Sequence, residues 1–235
     1  MTFSSAMVLF AHPDDAEFMA GGTVARWARD GCDVHYVVVT DGSAGSNEPG
    51  VTREEIRPLR EREQRAAAEV LGVRSITFLG EVDGMLEVTL ETRRKVTREV
   101  RRLRPDVIVA PDPSRLWHGN GYINHTDHRA AGMLALTAIM PDAPTRLMFP
   151  ELLDEGIEPL EVPNLWLSSG EPDTYVDITD TFEIKLKALA EHVSQLGPDT
   201  GSRVRERAQQ TGQEAGYAFA EAFKTFRFVD DDEEA

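Results

Sequence analysis

The chain has 235 residues, 41% hydrophobic and 28% charged, enough for one large domain with a real core and unlike disordered, repeat or collagen compositions. Forty-one Asp and Glu against twenty-five Lys and Arg leave a net charge of −16, which argues against nucleic acid or an anionic membrane surface as a partner. One cysteine, an N-terminus without a secretion signal, and no apolar run near the ~20 residues of a membrane span point to the cytoplasm and leave homo-oligomerisation open.

Met7 to Ala11 (MVLFA) is a short apolar run stopped by Pro13 and two aspartates, as expected of a strand buried on both faces. A loop opens at His12. Helical periodicity from Ala20 to Asp30 closes at Gly31, and the β-branched run Val34 to Thr40 reads as a second strand. Asp41 to Gly50 concentrates glycine, serine and proline in a long connection of the kind that carries function. Thr52 to Leu71 is helical and stops at Gly72, Ser75 to Leu79 is a third strand, and Glu91 to Leu103 is a charged helix. Asp106 to Ala110 is a fourth strand and His125 to Met140 a further helix. This alternation predicts a Rossmann-like α/β fold. Its mostly parallel sheet carries helices on both faces and gathers the strands' carboxyl ends along one ligand-binding edge. Beyond Pro141 the pattern predicts strands over Arg146–Glu151, Asn164–Ser168 and Tyr175–Ile178, then helices over Thr181–Gln195 and Arg203–Phe226. No linker or internal repeat divides the chain, so residues 1–235 read as one domain with a short acidic tail from about 229.

His12, Asp14 and Asp15 follow the first strand directly, on the ligand-binding edge, with Pro13 restraining the backbone between them. Adjacent carboxylates point in different directions, so one can hold a metal while the other faces a bound water. His125, Asp127 and His128 follow the fourth strand, and His125 and His128 at i, i+3 share a helical face. In a doubly wound sheet these two strands flank the switch point, which brings the clusters together. Two histidines and a carboxylate with an open position compose a catalytic zinc site, and the lack of paired cysteines argues against a structural one. Taken singly, each motif has a plainer meaning as a capped helix start. His35, His118 and His192 read as strand, loop and helix residues rather than ligands. Asp41-Gly42-Ser43-Ala44-Gly45 misses the first glycine of a nucleophile elbow, which disfavours a serine hydrolase. Gly119-Asn120-Gly121 has no third glycine, and the charge of Asp14 and Asp15 would repel pyrophosphate, which disfavours dinucleotide binding. Gly21-Gly22-Thr23 suits close packing of the first helix.

These motifs together resemble the LmbE-like/PIG-L family of zinc-dependent N-deacetylases. The likeness runs through Ala11-His12-Pro13-Asp14-Asp15-Ala16-Glu17, Gly21-Gly22-Thr23, Thr40-Asp41-Gly42, Arg60 to Glu63, Leu71-Gly72-Val73 and His125-x-Asp127-His128. It extends to Lys187 and His192-x-Ser194-Gln195, nearly the whole chain. The resemblance implies that His12, Asp15 and His128 bind one Zn2+ and that Asp14 is the general base. It further implies that His125 stabilises or protonates the reacting species, with Asp127 as its tuning partner. The implied activity is removal of an N-acetyl or related N-acyl group from an amino-sugar-containing small molecule. An amidase acting on a thiol conjugate, or a binding protein that holds metal or sugar without turnover, would use the same residues. Arg60, or Arg62, and Asp83 resemble positions that hold sugar hydroxyls. Where some members carry a tyrosine, this chain has Ile123, and Tyr122 one residue earlier is the candidate stand-in. As an imidazolium beside Asp127, His125 would have a raised pKa. Either Asp14 or His125 is placed to protonate the leaving amine.

Overall fold

The structure, a computed structural model, describes residues 2–119 and 121–228 and, at His118, the backbone alone. The acidic tail expected from about 229 lies outside the described residues. In chain order the elements are β1 (Ser5–Phe10), α1 (Asp15–Arg29), β2 (Asp33–Thr40), α2 (Arg53–Leu71), β3 (Ser75–Glu81), α3 (Leu90–Leu103) and β4 (Val107–Pro111). A small hairpin of β5 (Trp117–His118) and β6 (Tyr122–Ile123) precedes α4 (Thr126–Thr137). The chain continues through α5 (Glu151–Asp154), β7 (Asn164–Ser168), β8 (Thr174–Asp177), α6 (Phe182–Ala190), α7 (Thr200–Ala215) and β9 (Ala220–Arg227).

The main sheet runs β3-β2-β1-β4-β7-β9-β8. Its first five strands are parallel, and β9 pairs antiparallel with both β7 and β8. Side-chain alternation in β1 feeds two cores. Ala6, Val8 and Phe10 pack toward Ala20 and Val24 of α1 and Phe182 of α6. Met7, Leu9 and Ala11 pack toward Val96 and Val100 of α3 and Leu134 of α4. Each large apolar side chain buried this way contributes about 1.5–3 kcal/mol, which fixes the strand's register against one-residue slips. At Gly22 an added Cβ would lie 2.7 Å from the Ile178 side chain, so the small residue is what lets α1 approach. From β1 the chain winds one way through β2 and β3, then returns to β4 on the other side. The carboxyl ends of β1 and β4 therefore flank a topological switch point. No helix among the described residues is long and apolar enough to cross a membrane.

Three expectations are corrected. Helix α1 begins at Asp15 rather than near Ala20, so the aspartates belong to its first turn. Arg146–Glu151 is no strand but a turn leading into α5. The buried Arg101 guanidinium donates to the carbonyls of Asp142, Ala143 and Thr145 just before this segment and of Met148 within it, which draws the chain into a turn around the guanidinium. The helix expected over Arg203–Phe226 stops at Gly216, whose φ of 78° is left-handed, and the remainder becomes β9.

Candidate metal centre and catalytic site

Strand β1 delivers His12 to the switch point, where the backbone N–H of His12 donates to Asp15 Oδ2 at 2.8 Å and closes a tight turn. Between them Asp14 has φ 106° and ψ −27°, a left-handed conformation that costs a non-glycine residue about 1–3 kcal/mol and persists only where surroundings impose it. From the opposite side, α4 starts at His125, whose Nδ1 accepts the Asp127 backbone N–H at 3.2 Å as a helix cap, and brings His128 inward.

The two clusters converge. His12 Nδ1 lies 3.3 Å from His128 Nε2 and 3.4 Å from Asp15 Oδ2, and His128 Nε2 lies 3.1 Å from Asp15 Oδ1. The opposite ring nitrogens are also engaged. His12 Nε2 lies 3.1 Å from Asp83 Oδ1 and 3.2 Å from Asp127 Oδ2, while His128 Nδ1 lies 3.1 Å from Asn124 Oδ1. If each outer nitrogen donates its proton to its oxygen partner, the inner two are left with lone pairs aimed at one point. This is the arrangement of histidines that ligate metals.

Charge requirements agree with the geometry. Burial alone would lower the His12 pKa, yet hydrogen bonds to Asp127, Asp15 and Asp83 push it up to about 12. Burial likewise opposes ionisation of Asp15, but His128 and His12 hold its carboxyl well below the usual range. The cluster thus demands positive charge at its centre, and two imidazole nitrogens and a carboxylate held mutually within 3.4 Å fit a divalent cation with an open position. Asp14 stands beside this centre. Burial and the neighbouring Asp15 charge raise its pKa to about 7, against the pull of the Arg60 guanidinium, whose Nη2 lies 3.3 Å from Asp14 Oδ2. A carboxyl poised there exchanges protons at neutral pH.

Asp127 is fully buried, and its carboxylate accepts from Gly84 N at 2.7 Å and meets His12 Nε2, whereas His125 Nδ1 is 4.0 Å away. The expected rise in the His125 pKa is therefore a correction. Burial and the adjacent His12 charge lower it and outweigh Asp127. The His125 side chain is 40% exposed and its ring lies edge-on to His12 with centroids 4.7 Å apart, so it sits at the mouth of the site.

Arg60 and Asp83 are both buried. Arg60 donates to the Pro13 and Gly42 carbonyls, and Asp83 spans His12 Nε2 and the Ala44 N–H, so both tie loops to the cluster. Arg62 is exposed on α2 and Tyr122 is exposed on β6, three residues before His125. Sequence reasoning missed Asn124, buried immediately before His125, whose amide joins His128 to the Arg115 carbonyl. It also missed Gln64, and it gave Glu17 and His192 only as part of the family likeness; all three are buried, and His192 lies in the turn after α6, which ends at Ala190, rather than in the helix expected to run to Gln195. Ser43, the would-be elbow nucleophile, accepts a hydrogen bond from Arg53.

Donors of this kind at the switch point of an α/β sheet define a metal-dependent hydrolase of the LmbE-like deacetylase fold. The family model of the PIG-L GlcNAc-PI de-N-acetylases matches residues 7–139, more than half the chain and every residue of the two clusters, and the chain belongs to that family. Its class of activity is hydrolysis of an N-acyl amide on an amino sugar. Diacetylchitobiose deacetylase of Thermococcus kodakarensis is 32% identical over 218 residues, covering 91% of this chain and 79% of the relative. A probable N-acetyl-α-D-glucosaminyl L-malate deacetylase of Bacillus anthracis is 26% identical, covering 95% and 96%. The structure of N,N′-diacetylchitobiose deacetylase from Pyrococcus horikoshii superposes with a TM-score of 0.88 at 30% identity, covering 96% of this chain and 84% of that one.

Proposed function

We propose that this protein is a zinc-dependent hydrolase that removes an N-acetyl or related N-acyl group from a small molecule containing an amino sugar. The observation that carries this reading is the pairing of a cation-demanding centre, His12, Asp15 and His128, with a strained, neighbouring Asp14 whose pKa is about 7. When bound, the metal supplies Lewis acidity, which acidifies a water and polarises the amide carbonyl. His12 through Nδ1, His128 through Nε2 and Asp15 would hold it. Asp14 takes the proton of the attacking water and passes it to the departing nitrogen, which leaves poorly as an anion. His125, with Nδ1 occupied as a cap acceptor, presents Nε2–H from the mouth of the site. As a neutral imidazole it donates to the negative charge developing on the carbonyl oxygen. Asp83 and Asp127 hold the His12 ring, Arg60 holds the loop that carries Asp14, and Tyr122 is assigned to contact the substrate.

We further read residues 1–235 as a single domain, since one sheet takes strands from Ser5 to Arg227, and place it in the cytoplasm in line with its one free, buried cysteine. The functional reading is tested by presenting zinc-loaded protein with a panel of N-acetylglucosaminides and measuring free amine and acetate. Release of both in equal amounts supports a deacetylase. Stoichiometric metal with no acetate from any member would favour a binding protein instead.

A further inference from the structure

The turn after α6 contributes nothing to the metal centre directly, yet three of its residues reach three different parts of the scaffold beneath it. Ser194 donates from both N and Oγ to the Glu63 carboxylate of α2, at 2.8 and 2.6 Å. Gln195 Nε2 donates to the Gly45 carbonyl in the loop after β2 at 3.0 Å. His192, fully buried, lies with Nε2 3.0 Å from Glu17 Oε2 of α1.

That last contact belongs to a chain of buried groups ending at Asp14. The Glu17 carboxylate, fully buried, also accepts from Gln64 Nε2 at 3.0 and 3.2 Å. Gln64, fully buried on α2, has its other amide atom 2.9 Å from the backbone nitrogen of Asp14, which donates to it. Each donor in this chain has one direction available. The Asp14 N–H can only donate, so the Gln64 oxygen faces it and the Gln64 NH2 faces Glu17, and a proton on His192 Nε2 completes the chain as a donor to the same carboxyl group. Flipping Gln64 would set NH2 against the Asp14 N–H and oxygen against the carboxylate and lose both bonds. Among the described residues, His192 Nδ1 is buried with no hydrogen-bond partner.

We infer that His192, Glu17 and Gln64 form a positioning relay that holds Asp14 in its left-handed conformation, with its carboxylate directed at the reaction. The inference rests on the reading of Asp14 as the base. A non-glycine residue at φ 106° has to be imposed from outside, and the Gln64 carbonyl is the side-chain group bonded to its N–H. His192 is a positioning residue because it acts through Glu17 and Gln64. The bland alternative is a buried hydrogen-bonded pair that merely joins α1 to the chain after α6.

The two separate in a double-mutant cycle on metal-loaded protein, with the N-acetylglucosaminide turned over fastest in the panel. His192→Phe removes the donor at similar volume. It should lower kcat roughly 10- to 100-fold, the cost of a misdirected group, with KM and metal content unchanged. His192→Gln, which restores a donor, should recover most of the loss. In an Asp14→Asn background His192→Phe should have no further effect, because the relay has nothing left to direct. Gln64→Met, which cuts the chain at its last link, should repeat the kcat-only loss and serves where His192→Phe does not fold. Independently of turnover, amide hydrogen exchange at Asp14 should accelerate roughly tenfold or more in both variants. A lowered melting temperature with kcat and Asp14 exchange unchanged would overturn the relay, as would losses that add fully to Asp14→Asn. Undiminished turnover in Asp14→Asn itself would instead overturn the base assignment. If no substrate turns over, the functional reading fails while the exchange measurement still decides the relay.

Discussion

Helix α1 has buried charge at both ends of its first half, and the two sites are built on opposite terms. Toward its middle, Glu221 of β9 accepts from Gly22 N, Thr23 N, Thr23 Oγ1 and Lys185 Nζ at 2.6–2.9 Å, and Lys185 also donates to the Phe18 carbonyl. The carboxylate's oxygens are all used, one cation faces one anion, and both residues are about 5% exposed or less. At its start, Asp14, Asp15, Asp83 and Asp127 crowd two imidazoles and Arg60. Ring nitrogens face one another at 3.3 Å and a backbone is held in a strained conformation. A closed pair holds a fold together, whereas a cluster short of positive charge waits for a cation and keeps a carboxyl near neutrality.

The comparison breaks most decisively at the ligands. His12→Ala or His128→Ala should reduce bound metal from one equivalent to near none and take turnover to background, as read by metal analysis and amine release. One equivalent retained in both would refute the ligand set. Asp14→Asn should keep the metal and lose about 10²–10⁴-fold in kcat, the usual contribution of a general base. Equal metal loss from Asp14 and Asp15 variants would show that the two carboxylates share one role.

At the closed pair the effect should move to stability alone. Lys185→Met leaves Glu221 buried without its cation and should cost about 3–5 kcal/mol by denaturant midpoint, with metal per folded molecule unchanged. Loss of metal there would show that the two sites are not separable. The smallest effect concerns pH. Asp14 accepts a proton only when ionised, so kcat/KM should fall as pH drops through about 7, and a bound divalent cation should pull that limb lower. The His125 pKa is lowered, so its neutral form persists to high pH and no alkaline fall is expected from it. An alkaline limb abolished by His125→Ala would restore the imidazolium assignment.

Much of this was legible in the sequence because it is local. MVLFA, VHYVVVT and DVIVA are buried on both faces, and their apolar runs mark β1, β2 and β4 to within two residues. Asp14 and Asp15 obscure the start of α1, since His12 to Glu17 reads as a polar loop until the fold places both aspartates in the helix's first turn. The C-terminal third failed where the deciding contacts are distant. Glu221 looks like a surface charge until Lys185 and the α1 backbone are placed around it, so β9 was absorbed into a helix. Arg101 dictates the path from Asp142 to Met148 from more than forty positions away. Within the site, the expected strand order brings the two histidine motifs together, but the family resemblance pairs Asp127 with His125, its neighbour in sequence. The fold turns that carboxylate to His12 instead.

The most direct test of a metal-dependent deacetylase is acetate release from an N-acetylglucosaminide by the intact protein before chelation, after it, and after one equivalent of zinc is returned. The account predicts acetate and free amine in equal amounts, abolished by the chelator and restored by that single equivalent. Turnover that survives chelation, or zinc bound at one equivalent without acetate, would contradict it.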